Sequence, residues 1–289
     1  MTIDRRQLLT AATAFAALPG CARAMPPGTV RLRVAGDRLH LPATINGVTV
    51  EALLDSAAEK SIVDAALAHR LGLRGGEAVT ARGTGAATAA ATLATGATLA
   101  VAGLTLQPGT VGVIDLGDVA RRLGSPVPLI VGRELFDAAA IALDIGRGAL
   151  AILPSGSRHP GRHLPLTTRR GIETFPVTIE GIDAQAEFDL GNGGTILIGA
   201  AFAESHGLLV RRATTTIDGG GIGGATRQTS FTLRGLKLAG HRFTDVPAAI
   251  DASPTAADAN IGVRLLRRFA IVAEFPARSL WLDDAGERE

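Results

Sequence analysis

Polar and apolar residues alternate with period two along Val30-Arg31-Leu32-Arg33-Val34 and again along Phe175-Pro176-Val177-Thr178-Ile179. Phe231-Thr232-Leu233 and Leu236-Lys237-Leu238 repeat the alternation in shorter runs. That period puts one face of each segment in a core and the other in water, the pattern of half-buried strands. Turn pairs such as Asn46-Gly47, Ala102-Gly103 and Ala239-Gly240 punctuate the runs at short spacing. Helix-like stretches are few; the clearest are Ala65 to Leu73 and Ala200 to Leu208. A parallel α/β fold requires strand and helix to alternate regularly, and here they do not. The expected fold is all-β, built of barrel-like lobes with short helices.

The chain also repeats itself once. Ile45-Asn46-Gly47 through Leu53-Leu54-Asp55 reappears as Ile179-Glu180-Gly181 through Glu187-Phe188-Asp189, so that Gly47 meets Gly181 and Asp55 meets Asp189 at one offset of 134. Later, Leu129-Ile130-Val131-Gly132 matches Ala259-Asn260-Ile261-Gly262 at an offset of 130, which holds through Ile141-Ala142-Leu143-Asp144 and Ile271-Val272-Ala273-Glu274. Two anchors per half in the same order indicate two homologous lobes, about 28–155 and 164–285. Pro154 to Gly161 has linker composition.

Composition removes several function classes. Of 289 residues, 46% are apolar and 19% charged, enough to bury a core. Net charge is only +2 and aromatics make up 3%, so nucleic acid has neither a basic stripe nor a stacking platform to bind. The single Cys excludes an internal disulfide and a cysteine metal cluster, and the scattered His residues show no metal-ligand spacing. No cofactor or metal is expected. Arg5-Arg6, a modest apolar stretch from Leu8 to Leu18 and the ending Ala22-Arg23-Ala24 read as a twin-arginine export signal over residues 1–24. Leu18-Pro19-Gly20-Cys21 also resembles a lipobox, which would make Cys21 a lipid anchor and the only tie to a membrane. The expected product is periplasmic.

In each half an apolar run delivers one Asp into a turn of small residues: Leu53-Leu54-Asp55-Ser56-Ala57-Ala58 and Glu187-Phe188-Asp189-Leu190-Gly191-Asn192. A carboxylate at the end of a buried strand is costly unless it is paired or used. Two such turns meeting between the lobes would share a proton, one carboxyl acting as base on a water and the other as acid toward a carbonyl. The commoner role of a single turn Asp is to bond its own backbone; the repetition favours the pair.

These motifs resemble the retropepsin-like and pepsin-like aspartic peptidases, whose hallmark is hydrophobic-hydrophobic-Asp-Thr/Ser-Gly in each lobe, followed by a hydrophobic-hydrophobic-Gly stretch. The resemblance spans nearly all of the chain after residue 24 and is to the two-lobed type of bacterial envelopes, which implies two closed-barrel-like β lobes with a substrate cleft between them. It implies Asp55 and Asp189 as the catalytic pair of an endopeptidase acting on peptide or protein substrates. It implies Ser56 as the hydroxyl locking the two turns, with Ala57, Gly191 and Asn192 shaping them. Flaps would lie at Arg82-Gly83-Thr84-Gly85 and at Gly219 to Gly224, with Gly83, Thr84, Gly221 and Gly223 clamping substrate; a phosphate cradle at the second glycine run lacks the Gly-Lys-Ser/Thr it would need. Leu190 stands where the family has Thr or Ser, which leaves a catalytically impaired, peptide-binding pseudo-peptidase as the alternative. Other rivals are a dimer pairing Asp55 with Asp55 and a plain β-rich envelope module; the duplication favours a monomer. His69 and His206 read as packing or surface residues, Arg121-Arg122 and Arg267-Arg268 as solvated faces, and Asp283-Asp284 with Glu287 and Glu289 as a frayed end.

Overall fold

A computed structural model describes residues 29–285. The export signal, Cys21, Glu287 and Glu289 lie outside the described residues. Two ten-stranded sheets carry the two lobes, and their strand orders are identical when equivalent strands are matched. In the first lobe the strands Arg74–Ala81, Ala89–Thr95, Val111–Ile114, Ile62–Asp64, Leu129–Val131, Val48–Leu54, Arg38–Ile45, Leu99–Val101 and Leu104–Leu106 lie side by side in that order, and Arg33–Ala35 also pairs with Arg38–Ile45. In the second lobe the same path runs Thr215–Gly221, Gly224–Leu233, Val246–Asp251, Ile196–Gly199, Ala259–Ile261, Ile182–Phe188, Ile172–Ile179, Leu236–Leu238 and His241–Phe243, with Thr167–Arg169 added to Ile172–Ile179. The all-β expectation holds.

A third, six-stranded antiparallel sheet joins the lobes. At its centre Ala140–Asp144 pairs with Phe269–Glu274, with Ala142 opposite Val272. Those two residues are equivalent at the offset of 130, so the local twofold axis passes through their pair. Ile141 faces Ala273 and Leu143 faces Ile271, each the partner that the symmetry requires. The core is continuous across the seam. Phe136 of the first lobe stacks on Phe275 at 4.9 Å between ring centres and meets Phe188 edge-on at 6.3 Å. Phe188 precedes Asp189 directly, so the packing that joins the lobes also fixes one of the acidic turns.

Helices are short and mark the same equivalence. Ala65–Arg70 and Ala200–Ser205 correspond, but each is three residues shorter than its helix-like stretch. Gly72 and Gly207 adopt the left-handed conformation, φ +61° in both, which stops the helix just past its last turn. Glu134–Ala138 corresponds to Val263–Leu266, whereas among the described residues Gly117–Leu123 has no counterpart in the second lobe. Asp283 and Asp284 are not a frayed end: they close the strand Ser279–Asp284, where Asp284 pairs with Phe269.

Candidate active site

Each Asp leaves its strand into a turn held by one set of backbone bonds. Asp55 N–H donates to Val131 O at 3.0 Å, and Asp189 N–H donates to Ile261 O at 3.2 Å. Three residues after each Asp the chain is tied again: Arg133 N–H to Ala58 O at 2.9 Å, Val263 N–H to Asn192 O at 2.8 Å. Gly132 and Gly262 sit under these carbonyls. A Cβ on Gly132 would lie 2.8 Å from Ala58 O, and one on Gly262 would overlap Asn192 O. Only glycine lets the two backbones approach this closely, which explains the hydrophobic-hydrophobic-Gly stretch in each half.

The two turns meet. A Cβ on Gly191, two residues beyond Asp189, would overlap the Asp55 carboxylate, so the first lobe's acid rests directly on the second lobe's turn. Asp55 Oδ1 accepts the N–H groups of Ala57 at 2.9 Å and Ala58 at 3.1 Å. Asp189 Oδ1 accepts Asn192 N–H at 3.0 Å, and its Oδ2 accepts the Asn260 side-chain amide at 2.7 Å. Burial, then the neighbouring Asp189 charge, push the Asp55 carboxyl up to about 7 against those backbone donors and Arg38. Burial also pushes Asp189 up, opposed first by the Asn260 amide. One proton is therefore held by the pair into the neutral range.

The hydroxyl of Ser56 spans the seam twice. It donates to Phe188 O at 2.7 Å and accepts Leu190 N–H at 2.9 Å. Leu190 is fully buried and has no hydroxyl with which to return the bond. Asn192 does not restore that half. Its side chain caps its own turn, accepting from Gly194 N–H at 2.7 Å and donating to Thr195 O at 3.2 Å and Asn260 Oδ1 at 2.8 Å, all in the second lobe.

The predicted flaps are hairpin tips, and they touch. Residues 82–88 link the paired strands Arg74–Ala81 and Ala89–Thr95; Ile222 and Gly223 link Thr215–Gly221 and Gly224–Leu233, so Gly219 to Gly221 belong to a strand rather than to the tip. Gly85 N–H donates to Ile222 O at 3.1 Å and Ala87 N–H to Gly223 O at 3.0 Å, while Gly83 and Thr84 pack against Ile222 and Gly221. Ile222 lies against an apolar patch of the first lobe formed by Leu53, Ile114, Leu116 and Ile130. Arg122 is not merely a solvated residue: its guanidinium reaches Gly221 O at 2.6 Å, from the helix that the second lobe lacks.

Three further side chains reach this region: Asn260 and Glu187 lie within the repeated motifs but carry no role in the motif pattern, and Arg38 lies outside them. Asn260 bridges Asp189 and Glu187, its amide donating to Glu187 Oε2 at 2.9 Å. Burial raises the Glu187 carboxyl, opposed by that bond. Arg38 lies over Gly193, where a Cβ would overlap the guanidinium. The signal that could have found Asn260 and Glu187 is comparison between the halves, since they replace Ile130 and Leu53 of the first lobe. Among the described residues no group of three or more His, Cys, Asp or Glu side chains is placed to hold a metal.

Residues 41–135 and 175–264 match one family, described as aspartyl protease. Each matched segment contains one acidic turn and the glycine stretch beside it. No curated relative matches the chain. With both matched segments folded alike and together covering more than half of its length, the chain belongs to the aspartyl protease family.

Proposed function

We propose that the protein is an aspartic endopeptidase in which Asp55 and Asp189 hydrolyse a peptide bond through a shared water. The observation that carries this reading is the Asp55 carboxylate seated on the turn after Asp189, with both carboxyls raised by burial in a common site. In the reaction the ionised carboxylate takes a proton from water as the water oxygen attacks the carbonyl carbon. The protonated partner gives its proton to the carbonyl oxygen. Collapse of the tetrahedral diol, with a proton passing to the amide nitrogen, breaks the C–N bond. No covalent intermediate forms. Ser56 holds the turns in register, Ala57 and Asn192 fix the carboxylates through their N–H groups, and Gly191 leaves room for Asp55. The crossed flap tips must part for an extended peptide to enter, after which Gly83, Thr84, Gly221 and Gly223 can bond its backbone as an added strand.

The mature protein is proposed to be an exported, periplasmic monomer, with lipidation at Cys21 as the alternative to cleavage after Ala24. Cleavage of a peptide library by the purified protein between pH 4 and 7, with Asp55→Asn and Asp189→Asn alongside, tests the activity. Cleavage abolished in both variants supports the reading. Retained cleavage in either variant, or none in the parent protein, overturns it. A binding-only role draws support from the buried Leu190, which leaves the lock between the turns half made; peptide binding without turnover would identify it.

A further inference from the structure

Arg38 opens the strand Arg38–Ile45, just after the turn Gly36-Asp37, and its guanidinium lies on Gly193 of the second lobe. Gly191, two positions earlier in the same turn, supports the Asp55 carboxylate. Cα atoms two residues apart lie at most about 7 Å from each other, so the cation and the Asp55 carboxylate rest on neighbouring positions of one short stretch of the second lobe. The charges of Asp189, Asp55 and Asp37 all act on it.

A largely desolvated cation needs hydrogen-bonded compensation, and the fold supplies none. Among the described residues Arg38 has no hydrogen-bond or ion-pair partner. Its neighbour Asp37 is engaged elsewhere, by Arg264 Nε at 2.8 Å and Arg267 at 2.7 Å. The position against which the guanidinium rests is a glycine and brings no carboxylate. The oxygens of Asp55 and Asp189 that take hydrogen bonds take them from Ala57, Ala58, Asn192 and Asn260. The fork of donors therefore stands unspent beside the acidic pair, and its geometry matches a carboxylate.

We propose that Arg38 is a specificity residue that binds a carboxylate of the substrate, so that the protein prefers peptides with Asp or Glu at one of the two residues joined by the scissile bond. The proposal rests on the peptidase reading of the same cleft. It assigns the first lobe's hairpin turn to substrate selection, beside the turns assigned to chemistry.

The test uses the full chain and four peptides identical except for Glu, Gln, Leu or Lys at each of those two positions, with kcat/KM measured for every one. At one position the Glu peptide should exceed the Gln peptide by about tenfold, the discrimination of one charge-assisted bidentate contact. Arg38→Gln should bring the ratio to within about twofold, Arg38→Lys should keep part of it, and Arg38→Glu should turn the preference toward Lys. Melting curves report whether each variant folds; the parent protein's Glu-to-Gln ratio stands whatever they show. Equal cleavage of Glu and Gln peptides by the parent overturns the proposal. So does an equal loss on all peptides in Arg38→Gln with a shifted pH profile, which would mean that the cation acts on the acidic pair. If no peptide is cut, the peptidase reading fails, and fluorescence anisotropy with the same peptides then decides Arg38: tighter binding of Glu than Gln upholds it, equal binding refutes it.

Discussion

The two lobes share a strand order yet bring different chemistry to the seam where their acidic turns meet. In the first, Leu53 and Ile130 are cross-strand neighbours and form an apolar wall against which the Ile222 flap tip packs. In the second, the equivalent neighbours are Glu187 and Asn260, a half-buried carboxyl and a buried amide that bond each other and hold Asp189. Among the described residues Asp55 accepts hydrogen bonds from backbone donors of its own lobe alone, whereas Asp189 accepts from a backbone N–H and a side-chain amide. Ser56 reaches across the seam and Leu190 does not. Duplication therefore conserved what the backbone requires, namely the strand order, Gly132 with Gly262, and the turn bonds. It left free the side chains that set the charge and hydrogen bonding around the acidic pair. A symmetric scaffold here carries an asymmetric acidic pair.

That asymmetry can be broken one side chain at a time. The largest effect belongs to the acids themselves. Asp189→Asn should lower kcat/KM for peptide cleavage by at least about a thousandfold, because an amide cannot take up the proton that the shared water loses; steady-state rates on a cleaved peptide check it. Next is Ser56→Ala, which strands a buried carbonyl on Phe188 and a buried N–H on Leu190. A loss of roughly 2–4 kcal/mol is expected, seen as a fall in melting temperature of about 4–12 °C. The reciprocal Leu190→Ala should also destabilise, through lost packing, but should leave those two bonds intact, so any loss of activity beyond that of the unfolded fraction would contradict the one-sided lock.

A smaller and more diagnostic change gives the second lobe the residue of the first. Asn260→Ile removes the donor that stabilises ionised Asp189. The carboxyl should then ionise at higher pH, and the acidic limb of the activity profile, where the base must lose its proton, should move up by about 1 unit; an unchanged profile would separate Asn260 from the chemistry. The raised carboxyl of Asp55 has a consequence for stability as well. Its folded pKa, about 7, lies above its unfolded value, so the folded state binds more protons between the two. The contribution is present in full at acidic pH and disappears as pH climbs through about 7. Asp55→Asn should accordingly melt a few degrees higher than the parent at pH 8 and show no such advantage at pH 4, by calorimetry at both. Smallest is Arg122→Ala, which frees Gly221 O and loosens the flap tip from the first lobe. A change in KM of about two- to threefold with little change in kcat is expected, the scale of one exposed hydrogen bond.

Much of this arrangement was legible in the chain. Period-two runs located strands because pleating sends successive side chains to opposite faces. The offsets of 134 and 130 exposed the two lobes, and the hydrophobic-hydrophobic-Asp and hydrophobic-hydrophobic-Gly stretches located the turns and their supports, since those positions obey local backbone constraints. The helix ends were read too long because a left-handed glycine stops a helix that the apolar pattern would continue. Asp283 and Asp284 looked like a tail because charge near an end carries no sign of the strand partner across the six-stranded sheet.

Sequence alone determined the strands, the duplication and the two acids, because each is written in residues close together or in a repeat that can be aligned. Tertiary structure alone decided how the halves are wired to each other: that Ser56 bonds both Phe188 and Leu190, that Arg122 catches a flap, that Asn260 ties Asp189 to Glu187, and that Arg38 stands unpaired over Gly193. Those contacts join residues up to more than a hundred positions apart, and the seam that brings them together is set by the shapes of two folded lobes, a property that no local pattern encodes.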